Sequence, residues 1–462
     1  MTSEFLVDYQ TIKERFEFDR MLEFSQEFKQ GYAMRKAMTT YLNSPLTRDF
    51  DHVGTFTPLN PLLARLGVDQ FMMLRILRDN CPEFAFALKR NAVEAVDAVD
   101  ICGGRGFLSH ILRITVHFTN LTQSPFAFVL KIPTTATVDA IVESLDNNDG
   151  NVESIAPAVP HDAECRFYAA FNNPSDALPL PRVYYASEKS IVGPGGAIFM
   201  EDLSNKGSCV DIFDSLTETQ CTEVAESIAQ LQVQYEQMEI ERREAITDGQ
   251  CVHTTVEKQR FLDEFLSRIG DYGDDFVRLV DQLKIAANID FAQFALIDQP
   301  KTMGCTSLSH GDMWINNVLF RLDNPQSLCA LIDWQTAFQG NPMFDLAFLL
   351  ATSTNSDVRR SSSECLVDRY YDALTAEHKE HGTRPRFSRQ QAHQLFQLSQ
   401  IQVAPVLGAL LCFFGRSMSL SGLETTILDA KMSILSDRTK AVLEDAVTLL
   451  SHVNIEGFEK RK

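Results

Sequence analysis

The hydrophobic period changes along this chain, and that change limits the folds open to it. Leu112, Ile114, Val116 and Phe118 alternate with Arg113, Thr115 and His117, the two-residue period of a half-buried strand. Phe126 to Ile132 is a second strand, apolar except for Lys131, and a third apolar run, Ala197 to Met200, stops at Glu201-Asp202. Asn147 to Pro160, rich in Asn, Asp, Pro and Gly, reads as a loop. A helix is predicted to start near Pro160, with Asp162 in its first turn and Ala163, Phe167, Ala170 and Phe171 on one face. From about residue 215 the period lengthens. Cys221, Val224, Ala225, Ile228, Leu231, Tyr235 and Met238 recur at three- and four-residue steps, the apolar stripe of a long amphipathic helix. Further helical pattern fills 258–285, 365–380 and 388–450. One strand pair interrupts it: Val318 to Phe320, a turn at Asp323-Asn324-Pro325, then Leu328 to Ile332. The expected class is α+β, with a small β-rich N-lobe before a larger, mainly helical C-lobe.

The chain has 462 residues, more than one hydrophobic core usually supports. The expected division is 1–95, a helical extension packed on the small lobe (Leu62, Leu66, Met73 and Leu77 carry its pattern); 96–203, the small lobe; and 204–462, the helical lobe. Forty-two Lys+Arg stand against 62 Asp+Glu, a formal net charge of −20. Such a surface repels phosphate backbones and anionic lipid heads, which disfavours nucleic acid and membrane surfaces as partners but leaves room for a small anion in a locally positive site. The start, MTSEFLVDYQ, lacks the basic-then-apolar order of a signal peptide. The longest apolar stretch, Ile401 to Phe414, is interrupted by Gln402 and Pro405 and is too short to span a bilayer; it reads as a buried helix. Ten cysteines include no Cys-x-x-Cys pair, so neither a zinc site nor a disulfide framework is indicated, and a cytoplasmic location is expected.

Chemistry concentrates in Ser309-His310-Gly311-Asp312-Met313-Trp314-Ile315-Asn316-Asn317 and in Leu331-Ile332-Asp333-Trp334. If the residues between form a hairpin, its two ends bring Asn317 and Asp333 together, with Asp312 close by on the preceding loop. Mg²⁺ takes oxygen ligands and usually one or two carboxylates plus substrate phosphates, which Asn317 and Asp333 suit. Asp312 is then left to orient an incoming hydroxyl and accept its proton. Taken singly, each is as readily a cap or turn residue; their order and spacing join them. His310 reads as a loop-bracing hydrogen-bonder and Trp334 as core. Asp345 opens an apolar helix, as an N-terminal cap or as a brace for the loop.

In the small lobe, Gly103, Gly104 and Gly106, followed by Ser109, precede the alternating strand, where a turn could offer backbone N–H groups to phosphates. Lys131 is either a snorkelling edge-strand lysine or a buried one that needs a partner, for which Glu164 is placed on the next helix. Glu201 and Leu203 close the lobe as an inter-lobe hinge whose main chain could meet an adenine edge. Element order and motifs together are those of a two-lobed, protein-kinase-like fold.

The strings SHGDMWINNVLF, ALIDWQTAFQGNPMFDLAFLL, GGRGFLSHILRI, FVLKIP and FMEDLS resemble those of the CHK kinase-like family, which includes the ecdysteroid-kinase-like proteins, and are most similar to its nematode branch. Choline/ethanolamine kinases and aminoglycoside phosphotransferases are more distant. The resemblance spans about residues 96 to 350. It implies ATP and Mg²⁺ as cofactors and Lys131 and Glu164 as the ATP-anchoring pair. Asp312 would be the catalytic aspartate, Asn317 and Asp333 the metal ligands, and Gly103 to Ser109 the phosphate-covering loop. Gly104-Arg105 departs from the family pattern. The expected activity is phosphorylation of a hydroxyl on a metabolite, steroid-like alcohol or xenobiotic. A choline/ethanolamine-type kinase and a non-catalytic, pseudokinase-like binding protein are the alternatives.

Overall fold

The structure, a computed structural model, describes residues 59–89, 91–101, 108–134, 158–171, 178–189, 196–247, 251–419, 424–453 and 455–459. By contacts the chain divides into two units. One holds 1–58, 86–96 and 116–125, and the other 59–85, 97–115 and 126–462. In the first, the described part comprises the ends of a helix and of two strands, and Thr119 N–H donates to the Ala92 carbonyl at 2.9 Å.

Among the described residues the first elements are three short helices, α1 (Pro61–Arg65), α2 (Gln70–Asn80) and α3 (Pro82–Leu88). Asn60 and Asp69 cap α1 and α2 by accepting backbone N–H bonds of the first turn. Strands β1 (Val93–Asp100), β2 (Ser109–Phe118) and β3 (Phe126–Pro133) follow, then helix α4 (Ala158–Ala170) and strands β4 (Val183–Ser187) and β5 (Ala197–Glu201). They form one five-stranded sheet in the order β1-β2-β3-β5-β4. β3 and β5 run antiparallel with Lys131 opposite Ile198, and Phe128 stacks on Phe199 at 5.7 Å. The predicted loop before α4 lies outside the described residues as far as 157.

After β6 (Gly207–Ser208) the chain is mainly helical, as its period requires. Helix α5 (Glu218–Gln237) carries the predicted stripe and begins with a capping box, Thr217 and Gln220 bonding each other's backbone N–H. It is followed by α6 (Ile240–Thr247), a 3₁₀ turn at Val252–Thr254, α7 (Val256–Leu266), α8 (Asp274–Gln282), α9 (Ile289–Gln293) and α10 (Gln299–Thr302). The helical pattern over 258–285 breaks between α7 and α8, where Gly273 takes φ 111°, a conformation side chains rarely adopt. Then come β7 (Ser307–Ser309), β8 (Val318–Arg321), β9 (Leu328–Leu331) and β10 (Phe338–Gly340), with helices α11 (Phe344–Ser353), α12 (Ser356–Glu380), α13 (Arg389–Ser419), α14 (Thr425–Leu450) and α15 (Glu456–Glu459).

One core joins Phe167 of α4, Val224 and Ile228 of α5, Leu346 of α11, Tyr370 of α12 and Trp334. A second joins Phe265 of α7, Phe344, Val403 and Leu411 of α13, and Leu443 of α14. Ile401, Val403, Ala404 and Ala409 have no exposed surface, so the apolar stretch around Pro405 is a buried helix. By length and mean hydropathy (1.6) α13 could cross a membrane, but 72% of that window is buried inside the protein.

Candidate active site

Two strand pairs build the site. β7 pairs antiparallel with β10, Ser309 opposite Phe338, so the loops leaving one and entering the other run side by side. β8 and β9 form the expected hairpin, Val318 opposite Leu331, and Ile332 N–H donates to the Asn317 carbonyl at 3.0 Å at its open end. Asn317 and Asp333 therefore flank the base of one hairpin. Asn317 Nδ2 donates to the Asp312 carbonyl at 2.8 Å and to Asp312 Oδ2 at 3.2 Å, which fixes the carboxylate and leaves Oδ1 for another partner.

The loop carrying Asp312 is held from behind. Asp345 accepts from the His310 and Gly311 N–H groups at 2.7 and 3.0 Å. It is the second residue of α11, whose N-cap is Met343 with no side-chain cap bond, so the capping alternative gives way to loop bracing. Gly311 has φ 86°, and a Cβ there would sit 2.2 Å from the Thr336 carbonyl oxygen, so only glycine fits. His310 is fully buried. Its Nε2 donates to the Ile332 carbonyl at 2.9 Å, so Nδ1 is the atom that accepts the Asp312 N–H at 3.2 Å. Burial holds His310 down at about 4, and the neutral ring acts as a brace.

Lys131 does not snorkel. It is 4% exposed in mid-β3, and its Nζ lies 2.5 Å from Glu164 Oε2 on α4 and also pairs with Asp333 Oδ1. Burial alone would lower its pKa, but Asp333 and Glu164 hold it above the usual lysine value. Burial pushes Glu164 up to about 7 against the pull of Lys131. Asp333 takes φ 68°, the one positive φ outside glycine among the described residues; such a residue typically stores about 1–3 kcal/mol and marks functional loops. Next to it, Trp334 stacks on Phe167 of α4 at 3.9 Å and lies 4.5 Å from His310. It is core, as expected, and it ties the helix bearing Glu164 to the loop bearing Asp312. Burial, reinforced by Asp333 and opposed by Lys258, pushes Asp312 up to about 7.

The remaining expected residues fall outside this constellation. Gly103, Gly104 and Gly106 lie outside the described residues, and Ser109 is the buried first residue of β2. The Glu201 carboxylate accepts from Arg182 N–H at 2.8 Å and pairs with Lys206 at 2.5 Å. The Leu203 carbonyl accepts the Lys206 and Gly207 N–H groups at 2.9 Å. Glu201 and Leu203 line a cleft of about 1310 Å³ with Tyr168, Leu180 and Tyr184; neither Lys131, Asp312 nor Asp333 lines it.

Sequence reasoning missed four supporting residues. Gln232 Nε2 of α5 donates to the Leu308 and Pro342 carbonyls, both at 2.9 Å, and Asn341 Nδ2 reaches the Ala295 and Leu395 carbonyls at 3.1 and 3.0 Å. His253 Nε2 donates to the Gly311 carbonyl at 2.7 Å, which docks the turn before α7 on the loop bearing Asp312, and Lys258 lies in the first turn of α7. A glutamine at a stripe position was the one available signal, at Gln232; the others sit in ordinary polar context.

The DUF1679 family model, described as "Uncharacterized oxidoreductase dhs-27", matches residues 89–453, and the chain belongs to that family. A Caenorhabditis elegans protein with the same description is 24% identical over 295 residues, 61% of this chain and 35% of the relative. The chain thus spans about a third of the length of that curated relative. Among solved structures it is similar to a choline kinase from Cryptosporidium parvum Iowa II (TM-score 0.49, 12% identity, 83% of this chain and 99% of that one). It is also similar to a putative aminoglycoside phosphotransferase from Ralstonia eutropha jmp134 (0.41, 14%, 82% and 99%) and to a Plasmodium vivax ethanolamine kinase (0.39, 10%, 73% and 84%).

Proposed function

For a member of this family with the site just described, we propose an ATP- and Mg²⁺-dependent phosphotransferase that moves the γ-phosphoryl group to a hydroxyl of a small molecule, with 96–203 as its nucleotide lobe and 204–462 as its catalytic and acceptor lobe. One observation carries the proposal. The Lys131 ammonium is shared by Glu164 and Asp333, while Asn317 and Asp312 are bonded to each other beside it. A cation held between a helix carboxylate and a loop carboxylate is what phosphate anchoring next to a metal ligand needs.

Among the described residues no group of three or more His, Cys, Asp or Glu could hold a metal unaided. Asn317 and Asp333 supply one amide and one carboxylate, which fits Mg²⁺, since that ion keeps several waters and takes phosphate oxygens as well. When bound, the ion would neutralise charge on the transferring phosphoryl group. Lys131, fixed by Glu164, would bind phosphate oxygens; Asp312 Oδ1 would orient the acceptor hydroxyl and take its proton. A carboxylate raised to about 7 suits that step near neutral pH. The short interval from Asp333 to Asp345 leaves little room for a long activation segment.

The oxidoreductase description is shared by the family model and by a relative of which this chain matches 35%. The test is ATP consumption against a panel of hydroxylated metabolites, with thermal stabilisation by ATP measured with and without Mg²⁺. Asp312→Asn should lower kcat by about 10²–10⁴ with nucleotide stabilisation intact. Asp333→Ala should abolish the Mg²⁺-dependent part. Full turnover by Asp312→Asn sinks the catalytic role, and nucleotide binding with no turnover of any acceptor favours a binding protein.

A further inference from the structure

Helix α11 is buried along its whole length, and its only polar side chains are Asp345 at one end and Thr352 and Ser353 at the other. Asp345 braces the His310 and Gly311 N–H groups. Ser353 takes no part in the transfer as proposed. The hydroxyls on either side of it bond back along the chain: Thr352 and Thr354 donate to the carbonyls four residues earlier, Phe348 and Leu350, at 2.7 and 2.6 Å. Ser353, with no exposed surface, does not. Its Oγ reaches out of the helix and accepts the Ile315 N–H at 2.9 Å. Because the Thr352 proton is spent on Phe348, the 3.0 Å contact between the two hydroxyls runs from Ser353 to Thr352 Oγ1, which leaves the Ser353 lone pairs for Ile315.

That bond reaches Asn317 through one peptide plane. The Ile315 N–H and the Trp314 carbonyl belong to the same planar peptide group, and the Trp314 carbonyl accepts the Asn317 N–H at 2.9 Å. The turn Ile315–Asn317 has no side-chain cap bond of its own, so Ser353 supplies the acceptor that its first N–H lacks. From Asn317 the bonds divide. Its carbonyl takes the Ile332 N–H, next to Asp333, and its Nδ2 holds Asp312, which leaves Oδ1 for an ion. Asp345 and Ser353 stand about 12 Å apart along the axis of one helix. α11 thus grips the segment carrying Asp312 at His310 and Gly311 and again at Ile315, on both sides of the carboxylate. The second grip is itself anchored: the Ser353 carbonyl accepts the Leu216 N–H at 2.9 Å, and the Thr352 carbonyl accepts a guanidinium N–H of Arg438 at 2.6 Å.

We infer that Ser353 is a positioning residue for the metal ligand Asn317: its hydroxyl sets the Trp314–Ile315 peptide plane and, through it, the place of the Asn317 amide relative to Asp312 and Asp333. The inference rests on the phosphotransferase reading and deepens its metal site. The defect it predicts is selective. Losing an outer hydrogen bond that orients a metal ligand typically costs about 10–100-fold in metal affinity. Lys131 and Glu164, which would hold the nucleotide from the small lobe, keep their own bond. A serine that only filled space would weaken metal and nucleotide binding together.

The experiment uses the full chain and needs no acceptor. Thermal stabilisation by ATP is measured in EDTA and then across a Mg²⁺ titration for wild type, Ser353→Ala, Ser353→Cys and Ser353→Thr, with urea midpoints alongside. Ser353→Ala should raise the half-saturating Mg²⁺ concentration about 10–100-fold and leave the metal-free ATP shift at its wild-type size. Ser353→Thr, which keeps the hydroxyl, should bring the concentration back towards wild type. Ser353→Cys keeps the shape with a weaker acceptor, so it should fall between, and it decides the matter if the alanine variant does not fold. A half-saturating concentration that stays put, or a metal-free shift that shrinks in step with it, overturns the inference. So does a Ser353→Thr variant as impaired as Ser353→Ala at a wild-type urea midpoint. A wild type whose ATP shift ignores Mg²⁺ refutes the metal-site reading itself, and the inference falls with it; a Mg²⁺-dependent wild type with an unmoved Ser353→Ala refutes the inference alone.

Discussion

Lys131 shows how much can hang on a single buried cation. Two carboxylates share its ammonium in a buried place, Glu164 with no exposed surface and Asp333 on a loop. Removing one partner from such a set leaves uncompensated charge, which typically costs about 3–5 kcal/mol. Lys131→Met should therefore destabilise the protein by that order in urea denaturation. The double variant Lys131→Met/Glu164→Gln should recover part of the loss while nucleotide binding stays absent. If Lys131→Met unfolds at the wild-type midpoint, the ammonium does not neutralise those carboxylates. Lysine in an apolar strand was legible in the sequence, and so was Glu164 as its partner. The contact with Asp333, 202 residues away, was not, because strand pattern carries no information about which distant loop meets a strand.

At the scale of elements, the strands and loops around Asp312 are positioned by buried amides. Gln232, 1% exposed on α5, holds the Leu308 and Pro342 carbonyls and accepts the Tyr370 hydroxyl at 2.5 Å. One side chain thus joins α5, α12, β7 and the approach to α11. Gln232→Leu keeps the apolar stripe but strands two carbonyls and a hydroxyl, at about 1–3 kcal/mol each. It should lower the denaturation midpoint and reduce kcat more than it changes the KM for ATP; an unchanged midpoint would show that those groups find other partners. The long helices were legible from their stripes. β1, β4, β6, β7 and β10 were not, since, unlike the apolar runs of β5, β8 and β9, they carry no pattern that stands out from their surroundings and pair because a neighbour is there.

Over the whole molecule, two buried histidines set a pH dependence. Burial holds His253 down at about 3 and His310 at about 4, while an unfolded histidine titrates near 6.5. Below about pH 6.5 the unfolded chain gains protons that the folded one refuses, so stability falls as pH drops towards 4, by up to about 1.4 kcal/mol per pH unit per histidine. Asp312, Glu164 and Asp345, raised to about 7, act with the opposite sign: they take up protons in the folded state first and add stability over the same window. The histidine part is read by difference. Between pH 7 and pH 5 the stability of the variant His253→Gln/His310→Gln should rise relative to that of wild type in denaturant titrations. A matching pH response in both would mean that the rings are already charged or exposed.

The amino-acid order alone determined the succession of sheet, hairpin and helices, the nearness of Asn317, Asp333 and Asp312, and Glu164 as the partner of Lys131, because period and short-range motifs are local and a hairpin brings its own ends together. Only the tertiary structure decided that Asp345 braces the loop rather than caps a helix, that Glu201 is tied to Arg182 and Lys206, and that His253 bonds the same loop. Those roles arise from packing between segments far apart in the chain, where burial and the nearest charge, not the neighbours in sequence, fix what a polar side chain does.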